Sequence, residues 1–408
     1  VTLSERGLID QLQEEHFDAG LTENFDSCGY GLFHLLAIDK YATVNTLAVM
    51  DGQYSMTQVP VNTAYVPTMM GGKYGDRMTF FERLLNTLTY LNMDSFLDDN
   101  VDIFQSVFDK NIDDAPRLKE LMSNSSLVFM NSDPIIDFPK LTSSKVIDIG
   151  GISVHAGHNP LNTEWSDILN LRNETIFISF GTFVKSHLMP DLYKRTIRET
   201  IKKFPNVTFV WKYEKPEHQI SEGIDNLVET TWGPQHDLLH DPRLTAFITH
   251  GGQGSITESA GAGIPLICIP VTADQLRNAQ LVVRNGLGIM VHKEELARME
   301  PLEDAIRRIL SDESYRSTAR LIAEMIDERP FSMKDVFVRN MEYLVKYGPH
   351  RRFDHYGAQL NFVQYYLIDV FGFLAVCGIV SAVLAVYVIR FLVAKLSDFV
   401  VLTKIKSE

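Results

Sequence analysis

Short β-rich runs alternate with amphipathic stretches over residues 176–291. Strands are predicted at 176–180, 207–211, 244–249 and 265–270. Helices are predicted at 188–204 and 274–286, where apolar residues recur every three to four positions. Strands that alternate with helices form a parallel sheet with crossover helices, so this region predicts a doubly wound α/β domain.

The flanking regions are mainly helical. After the alternating region, helices are predicted at about 301–311, 313–327 and 331–347, with Pro330 as a break. Before it, the pattern is less regular: residues 5–16 predict a helix, 17–21 lead toward a strand, 77–97 form an aromatic-rich amphipathic helix and 156–160 form a linker. For the helix at 77–97, core packing is favoured over a role as the wall of an apolar binding pocket.

Residues 370–389 carry no charge and are bounded by Asp369 and Arg390. Twenty residues of helix span about 30 Å, the thickness of a bilayer core, and a core helix of that length usually has a polar face. Tyr365 and Tyr366 stand where an interfacial aromatic belt is expected. Within twenty residues, two Lys/Arg precede the run and four follow it, which predicts a single span with a cytosolic C-terminal tail.

Composition excludes some classes of protein. The net charge of −14, without a basic stripe, excludes a nucleic-acid partner. Three cysteines without metal-ligand spacing predict neither a disulfide framework nor a metal site. Sequons at 124, 173 and 206 fit a lumenal location for the region before the span, although three is close to chance for this length.

The residues most suggestive of chemistry lie between Trp232 and Gln275. His250-Gly-Gly-Gln-Gly254 follows a predicted strand and precedes a helix, where a doubly wound sheet binds ligands. Its glycines admit close backbone approach, and a helix N-terminus offers N–H groups to a phosphate. Glu258, one turn into that helix, can accept hydrogen bonds from both ribose hydroxyls. Each residue also has a structural alternative: a solvated face for Glu258, an N-cap for Asp274 and a partly buried aromatic for Trp232.

Taken together, this stretch resembles the donor-binding signature of UDP-sugar glycosyltransferases, without a gap over 44 positions. The surrounding text (FGT, WGPQHDLL, AFITHGG, GIPLICIP, ADQ) resembles the animal UDP-glucuronosyltransferases in particular, and the resemblance extends over nearly the whole chain. It implies an α/β fold of the GT-B type: two doubly wound Rossmann-like domains, the N-terminal one incomplete, plus one C-terminal transmembrane helix. The implied organisation is a partial acceptor-binding domain at 1–158, a UDP-sugar-binding domain at 165–330, a return helix and juxtamembrane segment at 331–361, the membrane region at 362–392 and a cytosolic tail at 393–408.

The resemblance also implies a role for each matching residue. Trp232 flanks the uracil and Gln235 borders the uridine; Glu258 holds the ribose. The diphosphate is bound by His250, Gly251, Gly252, Ser255 and Thr182, and the sugar hydroxyls by Asp274 and Gln275. Gly254 departs from the family, which commonly has Asn there, so a contact is missing or is taken over by Ser255 or Gln253. Arg277 either pairs with a glucuronate carboxylate or, as favoured, lies on a solvated helix face.

Catalysis in the family is thought to invert the anomeric centre, with a His as general base and an Asp that orients it. No histidine matches the base, since His34 and His155 have other contexts. Glu23 occupies the register of the Asp and is interpreted as the orienting carboxylate, with a plain loop carboxylate as the alternative. The sequence starts at Val1 with neither an initiator Met nor a signal peptide, so we expect an N-terminal segment to be missing and this chain to bind donor yet transfer poorly.

The expected function is inverting transfer of a hexose or hexuronic acid from a UDP-sugar to a small lipophilic acceptor. The alternative is a non-catalytic UDP-sugar-binding protein, or the partner of a complete homologue. A dehydrogenase is excluded because no GxGxxG follows a strand with an acidic residue about 20 positions on. No cofactor is expected beyond the UDP-sugar co-substrate. The donor sugar stays open between glucuronate and glucose, and the oligomeric state stays open between a homo- and a hetero-oligomer. The ending Lys404-Ile-Lys406-Ser-Glu408 resembles a retrieval signal for the endoplasmic reticulum.

Overall fold

The computed structural model describes residues 5–25, 27–48, 61–70, 74–112, 114–154 and 157–405. The chain divides into two compact units, Val1–Phe353 and Asp354–Glu408. The strands of the first unit are β1 (Gly20–Glu23), β2 (Tyr41–Asn45), β3 (Leu127–Met130), β4 (Val146–Asp148), β5 (Glu174–Ser179), β6 (Val207–Lys212), β7 (Leu227–Thr230), β8 (Leu244–Thr249), β9 (Leu266–Cys268) and β10 (Gly288–Met290). Its helices are α1 (Arg6–Glu14), α2 (Cys28–Leu35), α3 (Phe80–Asn111), α4 (Leu118–Ser123), α5 (Thr163–Leu169), α6 (Asp191–Lys202), α7 (Gln235–Leu239), α8 (Gln253–Ala262), α9 (Gln275–Arg284), α10 (Glu300–Ser311), α11 (Glu313–Asp327) and α12 (Met333–Tyr347).

The strands form two parallel sheets, as the alternating pattern predicts. One sheet has the order β1-β2-β3-β4 and the other β10-β9-β8-β5-β6-β7. In the larger sheet the chain runs outward from β5 in one direction and from β8 in the other, so the strand order reverses between these two neighbours. In an open α/β sheet, ligands bind at the carboxyl ends of the strands where the order reverses. The topology therefore places the candidate site at the ends of β5 and β8.

Both faces of the larger sheet are covered, which explains why its strands are continuous apolar runs. Ile176, Ile178 and Trp211 point to one face and belong to the core cluster that includes residues of α6 and α10. Phe177 and Phe247 point to the other face, in the cluster formed with α5, α8, α9 and α11. Successive residues of a strand face opposite sides, so two separate cores hold the sheet rigidly between helical layers.

The aromatic-rich helix is longer than predicted. Helix α3 runs over 32 residues, starts with a capping box formed by Thr79 and Glu82, and meets no Gly or Pro that would end it earlier. Tyr90 and Phe108 are buried, and Phe108 belongs to the core cluster that includes Tyr41 of β2, whereas Phe81 is exposed. The core-packing interpretation thus holds for one side of the helix. The predicted strand near 17–21 begins only at Gly20.

Side chains connect the N-terminal half, which carries β1–β4, to the C-terminal half, which carries β5–β10. Arg329 pairs with Asp133 and donates to the carbonyl of Gly150 at 3.2 Å. Asn285 on α9 donates to the carbonyl of Ile136 at 2.7 Å. Part of the predicted linker lies outside the described residues, and the domain boundaries at 158 and 165 stay predictions.

The second unit contains α13 (Phe362–Tyr365) and α14 (Ile368–Ile405). The stretch Ile368–Leu396 of α14 is long and apolar enough to cross a membrane, and it includes the predicted span at 370–389. The helix continues through residues that the sequence pattern assigned to the cytosolic tail. The last three residues, with Lys406 of the retrieval-like ending, lie outside the described residues.

Candidate functional site

A cavity of about 570 Å³ opens at the carboxyl ends of β5, β6 and β8, at the point where the strand order reverses. The segments that follow β5, β7 and β8 line it, together with Lys212 at the end of β6. Seven of the predicted binding residues line this cavity: Thr182, Trp232, Gln235, His250, Gly252, Ser255 and Glu258. The fold thus brings together residues that are up to 76 positions apart in the chain.

The N-terminus of α8 faces this cavity. β8 ends at Thr249, Gly251 has a φ of +80°, and the helix begins directly after Gly252. The N–H of Ile256 bonds to the carbonyl of Gly252 at 3.2 Å, so the three preceding N–H groups have no acceptor within the helix. Unpaired N–H groups and the helix dipole together favour a bound anion such as a phosphate.

His250 is fixed between two glycines. A Cβ added at Gly181 would lie 2.8 Å from the imidazole ring, and one added at Gly252 would lie 2.6 Å from it. Thr249 Oγ1 is 3.2 Å from its Nδ1. Burial, together with the nearby charge of Lys212, lowers the pKa of His250 to about 4. The ring is therefore neutral at neutral pH and presents itself to the cavity as a hydrogen-bonding group.

Lys212 is a binding candidate that sequence reasoning missed. It ends the buried strand β6, is only 9% exposed and lines the cavity. Its Nζ donates to the carbonyl of Gly181 at 2.9 Å and lies 5.2 Å from the ring centroid of Trp232. No carboxylate in the described part of the chain lies within 4 Å of this ammonium. A polar residue that ends an apolar strand was the available signal.

Trp232 and Glu258 do not have the purely structural roles that were the alternatives to ligand binding. Trp232 is 66% exposed at the cavity wall, so it is not a core aromatic. Glu258 lines the cavity and its Oε2 accepts a hydrogen bond from Nε2 of Gln235 at 2.8 Å, so it is not on a solvated helix face. The aromatic face and the oriented carboxylate border one space, with a geometry suited to a base and a ribose.

Gly251, Asp274 and Gln275 lie outside the lining of this cavity. Gln275 Oε1 accepts from the N–H groups of Val271 and Thr272, at 2.8 and 3.0 Å. Asp274 accepts from Nδ2 of Asn278 at 2.6 Å, and its pKa is raised by burial. Asn278, which the sequence did not single out, also donates to the carbonyl of Gly251 at 3.2 Å. It therefore ties the Asp274 loop to the glycine turn.

Two expectations about individual residues change. Arg277 is 1% exposed and its guanidinium bonds to Asp137 at 2.7 Å, so the solvated-face interpretation is wrong. Its second contact, to the carbonyl of Pro67 at 3.2 Å, leaves it facing the N-terminal half rather than the cavity. Gly254 has nothing within 4 Å of an added Cβ, so the position where the family commonly has Asn is open space.

Glu23 ends β1 at the carboxyl edge of the smaller sheet. Its carboxylate accepts from the N–H of Phe25 at 2.5 Å and from the hydroxyl of Thr46 at 3.5 Å. Neither partner is a histidine, so its orienting role stays a prediction. His34 is exposed on α2, with its ring 6.4 Å from that of Phe108, and His155 lies outside the described residues.

Known structures share the fold of this chain. A forosaminyltransferase of spinosyn matches with a TM-score of 0.58 at 16% identity, over 85% of this chain and 81% of its own. The glycotransferase of kitacinnamycin matches with a TM-score of 0.57 at 17% identity, over 82% and 80%. These likenesses define the fold as GT-B, the class of two parallel α/β halves.

Sequence relatives then identify the family. Human UDP-glucuronosyltransferase 1A10 is 29% identical over 387 residues, which is 91% of this chain and 69% of the human protein. The Caenorhabditis elegans protein ugt-47 is 28% identical over 369 residues, 89% of this chain and 68% of its own. The family model "UDP-glucoronosyl and UDP-glucosyl transferase" matches residues 1–402. The chain belongs to this family of UDP-glycosyltransferases, and its apolar C-terminal helix indicates membrane anchoring.

Proposed function

We propose that the cavity binds the UDP part of a UDP-sugar and that the protein transfers the sugar to a small lipophilic acceptor. The observation that carries this proposal is the convergence of three groups on one cavity: the α8 N-terminus, the ammonium of Lys212 and the face of Trp232. A diphosphate matches the first two groups and a uracil the third.

Each part of the donor has a partner. Trp232 flanks the uracil, with Gln235 beside the uridine, and Glu258 accepts from the ribose hydroxyls. The α8 N-terminus, His250, Ser255, Thr182 and Lys212 receive the diphosphate. During transfer a bond forms between the acceptor oxygen and the anomeric carbon, and the bond between that carbon and the UDP oxygen breaks. A general base takes the proton of the acceptor hydroxyl, and negative charge grows on the departing diphosphate. Fixed donors that face this charge stabilise the transition state more than the bound donor.

The donor sugar is proposed to be glucuronate, because relatives at 28–29% identity are named UDP-glucuronosyltransferases. Arg277 does not support this choice, since its guanidinium is already paired with Asp137. Asp274 and Gln275 are proposed to bind the sugar hydroxyls. Asn278 connects Asp274 to the glycine turn at Gly251. Glucose is the competing donor, and turnover with each UDP-sugar decides between them.

A non-catalytic UDP-sugar-binding protein is the second candidate. It is favoured by the surroundings of Glu23, whose carboxylate bonds to a backbone N–H and a hydroxyl instead of an imidazole. Sugar transfer to any member of a panel of lipophilic acceptors would support the enzyme. Glu23→Gln should then abolish this transfer and leave the UDP affinity unchanged. Donor binding without transfer by a chain extended to include any upstream residues supports the second candidate.

Substitution of Glu258 by Ala tests the nucleotide site. We expect the affinities for UDP and for uridine to fall alike, by roughly 10- to 150-fold, because about 1.5–3 kcal/mol is lost with hydrogen bonds to a charged acceptor. Calorimetry with both ligands on the full chain measures this, and Glu294→Ala, an exposed glutamate outside the cavity, is the matched control.

Lys212→Met provides the contrasting variant. Because Lys212 is proposed to face the diphosphate, loss of its ammonium should weaken UDP binding by a similar factor. Uridine has no diphosphate, so its binding should stay nearly unchanged. If both variants bind UDP as tightly as the unsubstituted protein, the cavity is not the nucleotide site and the proposal fails.

We also propose that the first unit lies in the lumen of the endoplasmic reticulum and the C-terminal tail in the cytosol, from the excess of basic residues after the apolar run. Glycan attachment is expected at one or more of Asn124, Asn173 and Asn206, and not at a sequon engineered after Lys395. The mobility shift on glycosidase treatment is measured for the unsubstituted protein and for the variant with the engineered sequon. A glycan at the engineered sequon, and none at the three natural ones, would reverse the orientation.

A further inference from the structure

Another cavity, of about 450 Å³, lies between α6 and the segment that follows β6. We call it the basic cavity. It shares no lining residue with the cavity at the ends of β5 and β8. Most of its lining is polar or charged: Asp191, Lys194, Arg195 and Arg198 on α6, with Tyr213 and His218 after β6. The four residues of α6 are three or four positions apart, so the helix places them on one face.

The charges on this helix face do not balance. Lys194 pairs with Asp191 at 2.8 Å, but in the part of the chain that the structure describes neither Arg195 nor Arg198 has a carboxylate within 4 Å. Three cations and one carboxylate leave a surplus of two positive charges, in a chain whose net charge is −14. Like charges three or four positions apart destabilise a helix, and a bound anion between them would offset that repulsion.

The two arginines also keep most of their hydrogen-bond donors. Nη2 of Arg198 donates to the carbonyl of Glu222 at 2.6 Å, while its buried Nε has no partner among the described residues. Arg195 is exposed, and no described residue accepts a hydrogen bond from it. Each guanidinium presents five N–H donors in a planar fork that fits the oxygens of a phosphate. Two such groups therefore line one concave surface with donors to spare.

His218 supplies a further polar group. Its Nδ1 lies 2.9 Å from the hydroxyl of Tyr213, a contact that holds the ring at the cavity wall. A phosphate monoester carries about 1.5 to 2 negative charges at neutral pH and has three terminal oxygens. It thus matches both the surplus of two positive charges and the number of donor side chains. A carboxylate has one charge and two oxygens, so it matches them less well.

We propose that the basic cavity is a second anion site, which binds a phosphate monoester through Arg195, Arg198 and His218. This site is separate from the proposed donor site, so the protein binds a UDP-sugar and the phosphate monoester at the same time. A small soluble ester and the head group of a phosphatidate present the same phosphate, and the experiment distinguishes these two sources.

Phosphorus NMR of phenyl phosphate, titrated with the full chain in detergent at low ionic strength, tests the site. Arg195→Gln should weaken binding by about tenfold, and the double variant Arg195→Gln/Arg198→Gln by about a hundredfold, because each loses hydrogen bonds to a charged group. Lys202→Gln/Lys203→Gln is the matched control. It removes two positive charges from the end of the same helix, and both lysines are exposed and outside both cavities.

Excess UDP and the variant Lys212→Met should both leave the binding of phenyl phosphate unchanged. Displacement by UDP, or loss of binding in Lys212→Met, would place the phosphate in the first cavity and overturn the proposal. Equal affinity of Arg195→Gln and the unsubstituted protein would also overturn it, and this variant changes only an exposed side chain, so folding is retained. Benzoate that binds as tightly as phenyl phosphate would overturn the preference for a phosphate.

The source of the phosphate is tested in phosphatidylcholine nanodiscs with and without phosphatidate. If phosphatidate lowers the affinity for phenyl phosphate in the unsubstituted protein, the lipid head group occupies the basic cavity. If the affinity is the same in both kinds of nanodisc, the ligand is a soluble ester. Either result supports the phosphate site, provided that Arg195→Gln weakens the binding of phenyl phosphate under the same conditions.

Discussion

Replacement of Arg277 by Met should lower the free energy of unfolding of the first unit by about 3–5 kcal/mol. Arg277 is 1% exposed, bonds to Asp137 at 2.7 Å and stacks 5.1 Å from the ring centroid of Phe138. Burial alone would raise the pKa of Asp137, but Arg277 and Lys140 outweigh it and hold that pKa far below its ordinary value. Without the guanidinium, only Lys140 is left to balance the charge of the buried Asp137 carboxylate. This incompletely paired buried charge is the physical reason for the lower free energy of unfolding.

Arg284 offers a control on the same helix. It also pairs with an aspartate of the N-terminal half, Asp76, at 2.8 Å, but its side chain is 32% exposed. Exposed pairs contribute about 0–1 kcal/mol, so Arg284→Met should have a small effect. Urea unfolding of the three proteins, followed by tryptophan fluorescence, measures the difference. Equal losses would mean that burial does not distinguish the two pairs.

Stability should also fall as the pH decreases from about 6.5 toward about 4, because of His250. Its pKa is about 4 in the folded protein and about 6.5 in an unfolded chain. Below pH 6.5 the unfolded chain therefore binds a proton that the folded protein does not, and protons favour unfolding. The stability contribution is complete above pH 6.5 and is lost as the pH falls, by an amount on the order of 3 kcal/mol near pH 4.

The measurement is the free energy of unfolding at pH 7.5 and pH 5.0. Over this interval the unsubstituted protein should lose about 2 kcal/mol more than His250→Gln, whose side chain does not titrate. His240, whose pKa is also lowered by burial, is the control for a histidine that is not packed between Gly181 and Gly252. His240→Gln should remove a smaller part of the pH-dependent loss of stability. An identical pH dependence of His250→Gln and the unsubstituted protein would contradict the neutral buried imidazole.

The fold and most of the lining of the candidate cavity were predictable because their signals are local. Strands β5, β6, β8 and β9 are apolar runs bounded by polar turns, and a sheet covered on both faces leaves such runs in the sequence. The glycine turn at His250 and the start of α8 were predictable for the same reason, since φ above zero and a helix N-terminus both restrict residue type. The end of α3 at Asn111 was missed, because nothing at residue 97 ends a helix.

The sequence by itself determined the parallel α/β order, the apolar membrane helix and the residues that meet at the end of β8, because hydrophobic periodicity and turn chemistry act over a few residues. Only the tertiary structure decided which side chains face one another. It turned Arg277 away from the cavity to pair with Asp137, 140 positions earlier. It placed Lys212 beside Trp232 and packed His250 between Gly181 and Gly252. Charge pairing and burial depend on distances between remote segments, and no local pattern records those distances.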